Sequence, residues 1–220
     1  MTPDYERAAV KAAEMLIRHR ITAAPIDPVP VLKSLPGVLV VSYADMAMQM
    51  ELDRGMMLRS ITPENHDAMA FARTVNGNLM YIIVYNQRLP NYLIQRGLAR
   101  ELGHIVLGHD GTRPNDVRIV EAQTFAYHFI CPRPLIQAVQ EESGINVTTE
   151  VLGIMTGCYE RCLAGMRKTP GVHVPPELNR LIREQFHEYL VNLFDYLAIV
   201  APTDESQIAN FGSYMDGYEE

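Results

Sequence analysis

The chain has no tryptophan, three cysteines and no surplus of positive charge. Each shortage removes a class of function. A net charge of −7 over 220 residues leaves no general field to draw nucleic acid. A small, odd number of cysteines fits a reducing compartment rather than a disulfide framework. Cys158 and Cys162, four apart on an expected helix, have no Cys or His partner close in sequence and read as packed thiols. Also absent are an apolar run of about 18 residues and a basic segment followed by an apolar stretch. The chain is therefore expected in the cytoplasm, with no membrane contact. What is present is ordinary for a globular protein: 48% hydrophobic and 20% charged residues, enough to bury a core.

Periodicity orders the chain as helix, small sheet, helices. Ala8, Ala12, Met15 and Leu16 make one stripe of a helix over 4–19. The connector Pro25-Ile26-Asp27-Pro28-Val29-Pro30 leads to a short helix around Val31 to Ser34. Val38 to Tyr43 is rich in β-branched residues and reads as a strand, with Met56 to Ile61 a weaker one. Ala68 to Thr74 and Leu79 to Tyr85 flank Val75-Asn76-Gly77-Asn78, a hairpin whose Asn-Gly supplies the positive φ angles of a tight turn. Further helices are expected from Pro90, over Val120 to Ile130, and then near Leu135 to Glu142, Thr148 to Met166 and Pro176 to Val200. Thr148 to Arg161 has the outline of a helix-turn-helix, but its second helix carries only Arg161, Arg167 and Lys168 as cations, so nucleic acid is not the expected partner.

The chemistry concentrates in Gly97-Leu98-Ala99-Arg100-Glu101-Leu102-Gly103-His104-Ile105-Val106-Leu107-Gly108-His109. In a His-Glu-x-x-His helix, residues i and i+4 share a face, so two imidazoles can meet one Zn²⁺ while the intervening Glu activates its water. Arg100 stands where the first imidazole belongs. It is permanently cationic and has no lone pair to give a metal. A second segment, Glu121-Ala122-Gln123-Thr124-Phe125-Ala126 running to Cys131-Pro132, reads as a helix closed by a proline.

Together these two segments resemble the ImmA/IrrE family of small metallopeptidases, over roughly residues 70 to 135. That resemblance implies an α+β, zincin-like metallopeptidase fold, a small antiparallel or mixed sheet packed on a mostly helical body. Residues 1–200 would be one such domain, helical from about 133, and 201–220 an acidic, flexible tail. It also implies roles: Glu101 at the general-base position, His104 and Glu121 as metal ligands, and Arg100 blocking the first-ligand position. His109, about 140° round the helix from His104, is expected to cap or to stand in the second shell. His128 is about 10 Å along its helix from Glu121 and is expected to be a partly buried polar neighbour.

Two functional expectations follow. The first is a non-hydrolytic or weakly active member of the family that binds or regulates a protein partner, such as a transcriptional repressor in a phage or mobile-element setting, with zinc weak or absent. The second is an active zinc endopeptidase in which Glu101 is the base and His104, Glu121 and an unidentified third ligand, His66 among the possibilities, hold the metal. Without metal, two carboxylates in one cleft call for positive charge, so an Arg100–Glu121 pair is expected to bridge the two helices. The hairpin edge is a candidate peptide site, or simply a sheet packed on the motif helix.

Overall fold

In the computed structural model, residues 1–49, 67–110, 112–157 and 172–200 are described. Helix α1 (Tyr5–Arg18) begins at Asp4, whose carboxylate accepts the Arg7 N–H, and it buries Ala8, Ala9, Ala12, Ala13, Met15 and Leu16. Helix α2 (Pro28–Ser34) starts earlier than the connector suggests. Asp27 caps it and Pro28 supplies a φ already suited to a first turn.

Strand β1 (Val38–Ser42) passes directly into α3 (Tyr43–Gln49), a helix missing from the sequence-based expectation. Its signal is Ser42-x-x-Asp45: the Ser42 hydroxyl accepts the Asp45 N–H at 3.1 Å and donates to the Asp45 carboxylate at 2.7 Å. Strands β2 (Ala68–Val75) and β3 (Asn78–Tyr85) form the expected hairpin, with Asn76 and Gly77 at φ 50 and 79. The sheet order is β1-β3-β2, with β1 parallel and β2 antiparallel to β3. Residues 50–66, including the weak strand candidate Met56 to Ile61 and His66, lie outside the described residues.

Helices α4 (Asn91–Val106) and α5 (Asn115–Ile130) carry the two motif segments. They pack closely because Gly103 faces α5: a Cβ there would lie 3.0 Å from Phe125 and 3.1 Å from the Ala122 carbonyl. Phe125 stacks on Phe129 at 5.8 Å, and both are sealed in the core with Leu98, Leu102, Leu16 and Ile83. The inward face of the sheet, Val38, Val40, Ala68, Ala70, Ile83 and Tyr85, rests on this body.

After α6 (Arg133–Ala138) comes one wide π turn, Val139–Ser143, closed by Gly144 at φ 67. Helix α7 (Thr149–Thr156) stops at Gly157, φ 66, rather than running to Met166. Residues 158–171, with Cys158 and Cys162 and the second half of the helix-turn-helix outline, lie outside the described residues. The expected helix Pro176 to Val200 is two, α8 (Pro176–Gln185) and α9 (His187–Val200). Phe186 breaks it by turning fully into the core, its ring edge-on to Tyr189 at 6.0 Å; no Gly or Pro announces this. The fold is α+β, a small mixed sheet on a mostly helical body. Among the described residues no helix is long and apolar enough to cross a membrane. The acidic segment 201–220 is outside the described residues.

Candidate functional site

Arg100 and Glu101 sit where α4 meets the start of β2. Gly97 makes the approach possible, since a Cβ there would come within 2.8 Å of the Asp67 side chain. Asp67 is buried and receives Arg96 Nη2 at 2.9 Å and Arg100 Nη1 at 3.1 Å. Arg100 also donates to Glu101 at 3.0 Å and to the Ala68 carbonyl at 2.7 Å. Burial pushes the Glu101 carboxyl above its ordinary range, helped by nearby Asp67, although Arg100 and the Ala70 N–H work against it. Glu101, expected as the general base, is 6% exposed and bound to a guanidinium.

The other end of α4 is organised by its C-terminus. Gly108, φ 66, reverses the chain, so that the Gly108 N–H reaches the Ile105 carbonyl and the His109 N–H the His104 carbonyl, both at 3.0 Å. This is a Schellman cap, which brings together the side chains of the two residues it bonds, ordinarily an apolar pair. Here they are two imidazoles, with His104 Nδ1 2.8 Å from His109 Nδ1. Helical angles alone could not place His109, because the helix ends at Val106.

Beyond His109 lies Glu121, its carboxylate 3.0 Å from His109 Nε2. The same carboxylate accepts the Asp4 N–H at the start of α1, at 2.8 Å, and both its oxygens accept Arg113 Nη1. Burial alone would raise the Glu121 pKa, but these three donors outweigh it and hold it below the usual range. The expected Arg100–Glu121 bridge is therefore not formed. Arg113 from the α4–α5 connection takes Glu121, and Arg100 is turned to the sheet edge. Arg113 is the functional neighbour that sequence reasoning missed, for it belongs to no helical period.

The hydrogen-bond chain also fixes protons. An ionised Glu121 only accepts, so His109 Nε2 carries a proton. His109 is neutral, its pKa lowered by burial more than Glu121 raises it. Its Nδ1 must then accept from His104 Nδ1–H, which leaves the lone pair of His104 on Nε2. Burial, with His109, Arg100 and Arg118 adding to it, lowers the His104 pKa to about 4. His128 is not part of this group. It lines a cavity of about 170 Å³ with Ala9, Ala13, Arg133 and His173, and burial pushes it to about 3.

A zinc site of this family's kind would need Nε2 of His104, a carboxylate oxygen of Glu121 and a third donor. His104 offers its lone pair, but Arg100 has none and Glu121 is saturated by three N–H groups. The donor set does not fit the metal, and among the described residues no three His, Cys, Asp or Glu side chains are set to hold one.

Residues 53–156 match the family described as the IrrE N-terminal-like domain. No curated protein and no solved structure shows significant similarity to the chain. This match supports membership of the ImmA/IrrE family over residues 53–156, which include both motif segments.

Proposed function

We propose that this chain is a non-hydrolytic or weakly active ImmA/IrrE-family protein that binds or regulates a protein partner, with a transcriptional repressor in a phage or mobile-element setting as the partner class. The observation that carries this reading is the commitment of Arg100. Its guanidinium is built into Asp67, Glu101 and the Ala68 carbonyl, so the first-ligand position holds a cation and the general-base carboxylate is its counter-ion. The Glu101 oxygen Oε1 is taken up by Arg100, so it is not free to accept a water proton, whatever its basicity. Zinc, where bound in this family's manner, would polarise the scissile carbonyl and its water. Nothing in the Arg100–Glu101 pair is arranged to assist that.

The alternative, an active zinc endopeptidase, keeps Glu101 as base and His104 and Glu121 as ligands. It requires Arg113, His109 and Asp4 to release Glu121. The two readings separate in one assay. A repressor co-expressed with the chain should co-elute with it uncut, and with added zinc no cleavage should depend on Glu101. Cleavage that Glu101→Gln abolishes would establish the alternative.

A further inference from the structure

The start of α1 leaves one backbone donor outside the helix. The Asp4 side chain turns in to cap the Arg7 N–H at 2.9 Å, while the Asp4 N–H itself has no intrahelical carbonyl to meet. It donates instead to Glu121 Oε1 at 2.8 Å.

The same turn also holds the other motif helix. Arg7 Nη2 donates to the Leu107 carbonyl at 2.7 Å, one of the acceptors left open at the C-terminus of α4. Both contacts follow helix-end electrostatics: the positive end of α1 meets a carboxylate, and a guanidinium meets the negative end of α4.

The donors on Glu121 are not equivalent. Arg113 and His109 reach it with side chains from the α4–α5 connection, and a side chain can rotate away. The Asp4 N–H is backbone, fixed by a helix whose Ala8, Ala9, Ala12, Met15 and Leu16 are buried. It leaves Oε1 only if the first turn of α1 unwinds or shifts.

We propose that the first turn of α1 is an intramolecular latch on the motif: its Asp4 N–H holds Glu121 Oε1 against a divalent cation, so that cation binding at Glu121 and docking of this turn oppose each other. The coupling is reciprocal. A cation that takes Oε1 must displace the turn, and whatever draws the turn away frees the carboxylate. The inference rests on the contacts of Glu121 and not on the pairing of Arg100 with Glu101, so it and the proposed function can fail separately.

Zinc competition with a chromophoric chelator tests it in Arg100→His, which supplies the missing imidazole. Asp4→Ala in that background loses the Arg7 cap but keeps the backbone N–H, and is the reference. Asp4→Pro loses the N–H as well, and should bind zinc at least ~10-fold more tightly than Asp4→Ala, the weight of one hydrogen bond to a charged group. Reciprocally, saturating zinc should speed exchange of the Asp4 amide at least ~10-fold in Arg100→His, a measurement that needs no change at Asp4 and so covers an Asp4→Pro protein that does not fold. Should Arg100→His not fold, the two Asp4 variants are compared in the Arg100 protein at millimolar zinc. Equal zinc affinity in the two variants, including binding too weak to detect in both, or an Asp4 amide indifferent to saturating zinc, would overturn the proposal.

Discussion

Arg100 and His104 stand one turn apart on α4, yet their surroundings work by different physics. Around Arg100 two guanidiniums and two buried carboxylates compensate each other, and the network ties α4 to the sheet edge. Around His104 the groups are neutral imidazoles, with charge only at the far end, on Glu121 and Arg113. The first half is a fixed structural lock. The second half keeps a histidine in a ligand's tautomer, but its carboxylate serves as an anchor for three separate segments. Arg100 and His104 thus place the two ends of one helix segment in separate networks.

Asp67→Ala should break the first half most severely. It leaves Arg96 and Arg100 without their shared partner, and removing one member of a buried ion pair costs about 3 kcal/mol or more. Urea unfolding should show this loss, while the His104–His109 contact, followed by imidazole ¹⁵N shifts, should persist. Glu121→Gln strikes the second half. The amide keeps one acceptor but loses the charge that Asp4, Arg113 and His109 address, for about 2 kcal/mol. The same variant should shift the tautomer balance of His109 and His104 in ¹⁵N spectra; unchanged spectra would contradict a proton held on His109 Nε2 by Glu121.

Acid separates the halves through linkage. His104 and His128 have folded pKa values of about 4 and about 3, below the unfolded value near 6.5. Between those limits the unfolded chain binds protons that the folded one does not. Stability is then fully present above about 6.5 and lost as pH falls, each histidine contributing up to ~1.4 kcal/mol per pH unit. Glu101 opposes this, since its raised pKa lets the folded state take a proton first as pH falls. His128→Gln should flatten the slope by about one proton; an unaltered slope would show that His128 is not held neutral.

The motif, its helix and the hairpin were all legible in the sequence, because period, the Asn-Gly turn and the Glu-x-x-His spacing are local signals. The partners of the motif were not. Glu121 meets the Asp4 N–H across 117 residues of chain and Arg113 from the connection 8 residues before it, and Arg100 meets Asp67, which precedes the hairpin by one residue. Charge reasoning foresaw that a guanidinium would compensate Glu121 but chose the wrong arginine, since sequence spacing does not say which way a side chain turns. The Schellman cap could have been read from Leu107-Gly108-His109, where Gly at the αL position implies the return of His109 to His104. The break at Phe186 carries no such signal and follows from packing alone.

Restoring the first ligand sharpens the comparison further. Arg100→His returns an imidazole to the face of His104, yet Arg113 still occupies Glu121. The single variant should gain little zinc, and Arg100→His with Arg113→Ala should gain more, read by metal analysis of folded protein. Equal zinc in both would mean that Arg113 does not compete for the carboxylate.

The most direct measurement is the zinc content of the unaltered protein purified without chelator. A site with one free imidazole and a saturated carboxylate lacks most of the donor energy behind the roughly 10 to 16 kcal/mol of peptide zinc sites. The expected result is well under one zinc per chain, with a melting temperature that EDTA leaves nearly unchanged. One zinc per chain, lost in His104→Ala and in Glu121→Ala, would contradict the account.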